Sequence, residues 1–180
     1  MRWADFADAA PELAALGLGG FGEQNLCLIG TLRADGWPRL SANEVYFVGG
    51  ELLLGMMRGS RKSNDLDRDA RITVMTPQCD REARRGDFKA YGRAVPVTDT
   101  GLRERYADTI EAAIEWRPEE PYPLFAVDVE SAAYISFFPG AAKARTLFPI
   151  NRPLPPGAAT VEPPEDEWMP IMPCRAAMST

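Results

Sequence analysis

The sequence predicts a mainly β domain with peripheral helices, an antiparallel barrel of about six strands. Three observations carry that expectation. Asp35-Gly36 and Gly49-Gly50 are hairpin signals between apolar runs, because glycine accepts the positive φ that tight turns need. Connections this short force antiparallel pairing, since a parallel pair needs a longer crossover. Helical patterns stand singly between groups of strand patterns, in the order helix, three strands, helix, two strands, helix, two strands. That order suits a barrel with helices over its openings and not a βαβ sheet.

Trp3 to Leu16 places Phe6, Leu13 and Leu16 at helical spacing, with a break near Pro11. Gly17, Gly19, Gly20 and Gly22 are expected to end that helix. Leu26 to Leu32, Arg39 to Val48 and Glu51 to Met57 read as three strands. Arg58 to Leu66 reads as a loop entering a short helix with Ser60 as its N-cap. Arg71 to Met75 and Phe88 to Val97 read as strands around a charged, solvated loop from Cys79 to Gly86. Thr98 to Trp116 is predicted as a helix capped by Thr98 or Asp99, with Leu102, Tyr106, Ile110 and Ile114 on one face. Leu124 to Val129 and Ala132 to Phe138 read as closing strands joined by a tight turn at Glu130-Ser131. Residues 1–150 thus form one domain. From Asn151 prolines recur, yet Trp168, Met169, Ile171 and Met172 are apolar. Residues 151–180 are expected to drape over the domain or a partner subunit.

Composition narrows the chemistry. With 180 residues, 46% of them hydrophobic and 26% charged, the chain suits a single core. It has no apolar run of membrane-spanning length, and Met1 to Phe6 lacks a signal-peptide core, so the expectation is cytoplasmic, with no membrane partner. A net charge of −6 argues against a nucleic-acid partner. Cys27, Cys79 and Cys174 are scattered, which points to free thiols and not to a metal site. There is no histidine. This removes Ser-His-Asp and Cys-His catalysis and histidine metal or heme ligation, so a bound cofactor would have to carry any chemistry.

The basic run Arg58, Arg61 and Lys62 lies where a strand ends and a helix starts. Helix N-terminal N–H groups lack partners there, the helix dipole adds positive character, and Ser60 offers a hydroxyl. Arg supplies a bidentate fork and Lys a mobile charge, and Gly59 lets backbone come close. Charge and spacing alone divide evenly between a phosphate site and a solvated helix start.

Asp35-Gly36-Trp37-Pro38-Arg39, Gly50-Glu51-Leu52-Leu53-Leu54, Ser60-Arg61-Lys62-Ser63-Asn64-Asp65-Leu66 and Asp69-Ala70-Arg71-Ile72-Thr73-Val74 follow one another in the chain. This series resembles the N-terminal half of the pyridoxamine 5′-phosphate oxidase-like superfamily of FMN-binding split barrels. That superfamily shows a D-G-x-P-R hairpin, an S-x-K loop, an N-L helix and a D-P-R-V-like strand in this order. Lys89-Ala90-Tyr91-Gly92-Arg93-Ala94 is similar to its next strand, and the likeness covers Leu26 to Val97. It implies a six-stranded, Greek-key split β-barrel that binds FMN between the two subunits of a homodimer. Ser60, Arg61 and Lys62, with Arg58 beside them, would hold the flavin phosphate. Arg39 would reach the phosphate or ribityl region. Ser41 and Asn43, on the same strand face, would meet ribityl hydroxyls or the ring edge, and Met56 and Met57 would line the ring. True pyridoxamine phosphate oxidases hold substrate with an Arg-x-His pair that this chain lacks, and Asp87 stands near the place of their flavin-contacting glutamine.

The function expected is an FMN-dependent oxidoreductase acting on a small organic substrate, with Tyr91, Tyr46 or a water relaying protons and no catalytic residue assigned. A deazaflavin coenzyme on the same barrel is the alternative. A non-catalytic flavin-binding or stress-related protein and a ligand-free dimeric interaction module are the readings from other classes.

Overall fold

The computed structural model describes residues 1–22, 25–78, 86–138 and 141–149. The expected charged loop from Cys79 and the proline-rich extension around Trp168 lie outside the described residues. The elements are α1 (Trp3–Ala9), α2 (Pro11–Phe21), β1 (Leu26–Leu32), β2 (Pro38–Glu44), β3 (Tyr46–Val48), β4 (Glu51–Gly55), α3 (Arg61–Arg68), β5 (Arg71–Met75), β6 (Asp87–Pro96), α4 (Thr100–Ile114), β7 (Leu124–Phe138) and β8 (Ala141–Pro149).

Neighbouring strands pair antiparallel along the path β2-β1-β5-β6-β7-β4-β3, and β8 adds to β7. The two ends of this path, β2 and β3, are one piece of chain bent at Val45. Val45 is fully buried, and its N–H donates to the Asn25 carbonyl at 2.7 Å. Joining the path's ends curls the sheet on itself, which gives the split barrel with peripheral helices.

Among the described residues there are eight strands where about six are expected. The run from Arg39 to Val48 divides at the Val45 bend, and Ala141–Pro149 contributes a further strand. The tight turn expected at Glu130-Ser131 is absent, because β7 runs straight through it. Tyr91 pairs with Ser131 and Gly92 with Val129, so Glu130 is the extra residue of a β-bulge. The bulge drives two backbones together: a Cβ on Gly92 would lie 2.0 Å from the Asp128 carbonyl oxygen. Glycine is required there for space.

The glycines from Gly17 to Gly20 do not stop a helix either; α2 continues to Phe21 and ends at Gly22. A Cβ on Gly17 would meet the Phe88 ring at 3.1 Å, and one on Gly20 would meet Thr76 Cγ2 at 2.7 Å. These positions, three residues apart, let α2 lie close on the sheet. Pro11 starts α2, where its missing N–H has no intrahelical role.

The main core is aromatic at the end plugged by α1 and α2. Trp3 packs on Phe6, Phe47 and Phe88 with ring centroids 4.7 to 5.9 Å apart, and Phe21 packs on Phe47 and Phe88. A second core forms where α4 covers β3 and β4, around Tyr46, Leu53, Tyr106 and Ile110. Asp99 caps α4 by accepting from the Leu102 N–H at 2.6 Å. Ile114, expected on the buried face, is exposed as the last residue of the helix. No described helix is long and apolar enough to cross a membrane.

Two alanine substitutions test this account of the glycines. Gly92→Ala should lower the free energy of unfolding in urea by about 1–3 kcal/mol, the cost of overpacking against backbone. Gly19→Ala, whose Cβ meets nothing within 4 Å, should leave stability unchanged or raise it by about 0.5–1 kcal/mol through helix propensity. Equal effects of the two would contradict the packing argument.

Candidate functional site

β4 ends at Gly55, and the Met56 N–H is taken by the Pro123 carbonyl at 2.9 Å. The chain then reverses: the Ser60 N–H donates to the Met57 carbonyl at 3.1 Å, with Gly59 at φ +71 in the turn. Ser60 caps α3 as the sequence predicts. Its hydroxyl oxygen accepts from the Ser63 N–H at 3.4 Å, and its carbonyl accepts from the Asn64 N–H at 3.0 Å. The N–H groups of Arg61 and Lys62, in the first turn, have no acceptor within the helix. A Cβ on Gly59 would meet open space. The turn and the helix start therefore present donors outward.

The facing wall is β2. Arg39, Ser41 and Asn43 alternate inward with period two, while Leu40, Ala42 and Glu44 are exposed. Lys62 reaches across from α3 and donates to Asn43 Oδ1 at 2.5 Å and to the Ala42 carbonyl at 2.8 Å. Asn43 is held in turn, its amide nitrogen donating to the carbonyls of Glu44 at 2.7 Å and Gly55 at 3.3 Å. One helical turn beyond Lys62, Asp65 accepts from Arg39 Nε at 2.6 Å and from the Thr31 hydroxyl at 3.0 Å. Arg68 donates to the other Asp65 oxygen at 3.4 Å and also to the Leu32 carbonyl.

The structure thus gathers Arg39, Asn43, Ser60 and Lys62 between β2 and α3, with Arg58 and Arg61 exposed on the adjoining turn. Neither Arg58 nor Arg61 makes an ion pair with a described residue. Ser41 is half-buried between Arg39 and Asn43. Met56 is buried in the main core, whereas Met57 is 83% exposed beside the turn. Asp65 joins this candidate cluster through its bond to Arg39 and Thr31 through its bond to Asp65, and sequence reasoning missed both. The usable signal was register: Thr31 is the residue directly opposite Arg39 on β1.

Burial sets the electrostatics. Asp65 is only 4% exposed. Burial opposes its charge, but the hydrogen bonds from Arg39 and Thr31 outweigh it and hold the carboxyl below its ordinary value. Burial pulls the Lys62 ammonium down from its usual value. Burial pushes the Cys27 thiol up to about 12, which leaves it a protonated, inert thiol beside the site. Tyr46 lies in the second core, edge-on to Tyr106, and Tyr91 points outward on β6, so neither stands at this cluster. Asp87 is paired with Lys89 at 2.6 Å.

An open helix N-terminus with Arg58, Arg61 and Lys62 at its start and Arg39 on the facing strand offers the donor types that suit a phosphate dianion. The family profile described as pyridoxamine 5′-phosphate oxidase matches residues 19–136, more than half of the chain and all of this cluster. The chain belongs to the pyridoxamine 5′-phosphate oxidase family. No curated protein matches its sequence. Among solved structures, a heme-binding protein of Mycobacterium smegmatis is similar with 17% identity and a TM-score of 0.58, over 73% of this chain and 56% of that one. The chain therefore spans little more than half the length of that protein. The heme storage protein HutZ of Vibrio cholerae is similar with 15% identity and a TM-score of 0.53, over 83% and 95% of the two chains. A Clostridium acetobutylicum protein related to general stress protein 26, of the pyridoxinephosphate oxidase family, gives 16% identity and a TM-score of 0.57, over 82% and 96%. At these identities the likeness is one of fold. This member of the pyridoxamine 5′-phosphate oxidase family has a cationic α3 start and carries no histidine.

The depressed Asp65 carboxyl generates a pH prediction. Its unfolded value is near 3.9 and its folded value lies lower, so the stability it contributes is complete above about pH 5. That stability is lost as pH falls through the folded value. Urea unfolding between about pH 5 and pH 2 should show a steeper loss for wild type than for Asp65→Asn, which has no carboxyl to protonate. Identical slopes would contradict the assignment.

Proposed function

We propose that the chain binds FMN by its phosphate at the turn from Met57 to Lys62 and acts as an FMN-dependent oxidoreductase on a small organic substrate. One observation carries the reading: Arg58 and Arg61 stand exposed at an open helix start with no ion-pair partner among the described residues, and Arg39 on the facing strand keeps its terminal amino groups unbonded to any of them while Nε holds Asp65. Family membership supports the cofactor. When bound, FMN supplies hydride transfer at its N5, a step that needs no histidine from the protein. The chain's own part is to bind and orient. Ser60 and the Arg61 and Lys62 N–H groups cradle the phosphate, Lys62 and Arg39 neutralise it, and Met57 lies exposed beside the turn to meet apolar ring surface.

The outward face of the sheet supports a homodimer. Leu28, Leu40, Met75 and Tyr91 share one side of adjacent strands, and Leu40 is 70% exposed. An uncovered apolar stripe of this kind suits a second copy of the chain. The reading places the protein in the cytoplasm, where Cys27 stays a free thiol.

Heme is the competing ligand, raised by the two heme proteins of similar fold. A chain without histidine would have to ligate iron through Met, Tyr or Cys, and Cys27 is buried and protonated. A deazaflavin would share the phosphate grip but would also need basic surface for its acidic tail.

The absorbance of the purified protein decides between these: flavin bands support the proposal, whereas a Soret band or a deazaflavin spectrum refutes it. Arg61→Ala and Lys62→Ala should each weaken FMN binding about tenfold to a hundredfold, the loss of one charge-assisted hydrogen bond of about 1.5–3 kcal/mol. The ligand-free melting temperature should barely move for Arg61→Ala, an exposed charge, whereas Lys62→Ala also deletes the bonds to Asn43 and Ala42 and should lower it modestly. Unchanged affinity in both variants would remove the turn from the site. Light scattering of the same samples should give twice the chain mass, and a monomer would contradict the dimer.

A further inference from the structure

We propose that Asp65 is a positioning residue of this anion site: it fixes the plane of the Arg39 guanidinium so that the free edge of the fork faces the phosphate. The inference rests on the phosphate reading above and adds to it a residue that never touches the ligand.

The geometry is specific to this role. Asp65 engages Arg39 through Nε alone, at 2.6 Å. A guanidinium has five donors, and this bond leaves the edge formed by its two terminal amino groups. Neither terminal group donates to a described residue. A planar fork held at one corner keeps its orientation, and the free edge matches two oxygens of a phosphate. Asp65 is itself immobile. Thr31, itself buried on β1, donates to the same oxygen, and Arg68 donates to the other. The carboxylate is thus clamped to β1, β2 and α3, and the part of Arg39 left without a partner among the described residues is its terminal edge.

A carboxylate beside an anion site otherwise has one simple effect, which is repulsion. If Asp65 were a bystander, removing its charge would tighten FMN binding. If it only fastened α3 to the barrel, its loss would weaken binding whatever stood at position 39. The positioning role predicts a third pattern, in which the loss acts through Arg39.

A double-mutant cycle on FMN affinity separates these patterns. Asp65→Asn should weaken FMN binding about tenfold, the scale of one charge-assisted hydrogen bond. In an Arg39→Ala background the same change should cause no further weakening. Tighter or unchanged binding on Asp65→Asn overturns the proposal, and so does equal weakening in both backgrounds. Arg39→Lys keeps the charge without disturbing the buried carboxylate's own residue, so it tests the idea even where Asp65→Asn fails to fold. It should bind FMN as poorly as Arg39→Ala, because an ammonium cannot bond Asp65 and also present a two-donor edge. Wild-type affinity in Arg39→Lys overturns the proposal. If Arg61→Ala and Lys62→Ala weaken FMN while Arg39→Ala does not, positioning fails and the phosphate site stands. A wild-type chain that takes up no FMN overturns both.

Discussion

The continuity of β2 and β3 through Val45 is the constraint on which the site depends. β3 pairs with β4, β4 runs into the turn before α3, and β2 carries Arg39 and Asn43. Bending one piece of chain at a buried valine places the start of α3 against β2. Residues far apart in sequence then meet: Lys62 bonds Asn43 across 19 positions, and Arg39 bonds Asp65 across 26. The bulge at Glu130 and the glycine-lined contact of α2 serve the same end, since both let the curled sheet pack without gaps. The site is a consequence of how the barrel closes.

Electrostatics reconciles an acidic chain with the anion site proposed for it. The net charge of −6 is spread over the surface, and charges beyond a Debye length of about 8 Å are largely screened. A cation at contact distance, about 4 Å, is worth roughly 4 kcal/mol near a protein surface. Local cations therefore outweigh the global field. Glu44 also lies within electrostatic reach of Lys62. Asp65, the carboxylate bonded to Arg39, is already satisfied by three donors, Arg39, Thr31 and Arg68. A buried ion pair of this kind is weak evidence for stability, because desolvation offsets the attraction. Its value here is orientation.

Much of this was legible in the sequence, for reasons that can be named. Hairpins show locally because glycine interrupts apolar runs, and Ser60 shows as a cap because a serine stands where the loop enters the helical pattern. The inward alternation of Arg39, Ser41 and Asn43 follows from strand period alone. What escaped depends on contacts between distant segments. Glu130-Ser131 looks like a turn because polar residues interrupt an apolar strand, and only Gly92 on the neighbouring strand marks it as a bulge. Gly17 and Gly20 look like a helix stop, while their purpose is to admit Phe88 and Thr76. Asp65 reads as one more charge on a solvated helix. Its burial follows from the closure at Val45, and no local pattern encodes that closure.

The central claim is that this family member grips its cofactor by the phosphate. Titrating FMN and riboflavin into the ligand-free protein tests it most directly, because the two differ only in that group. With at least two charge-assisted contacts at about 1.5–3 kcal/mol each, FMN should bind at least about a hundredfold more tightly. Equal affinities for FMN and riboflavin would contradict the account.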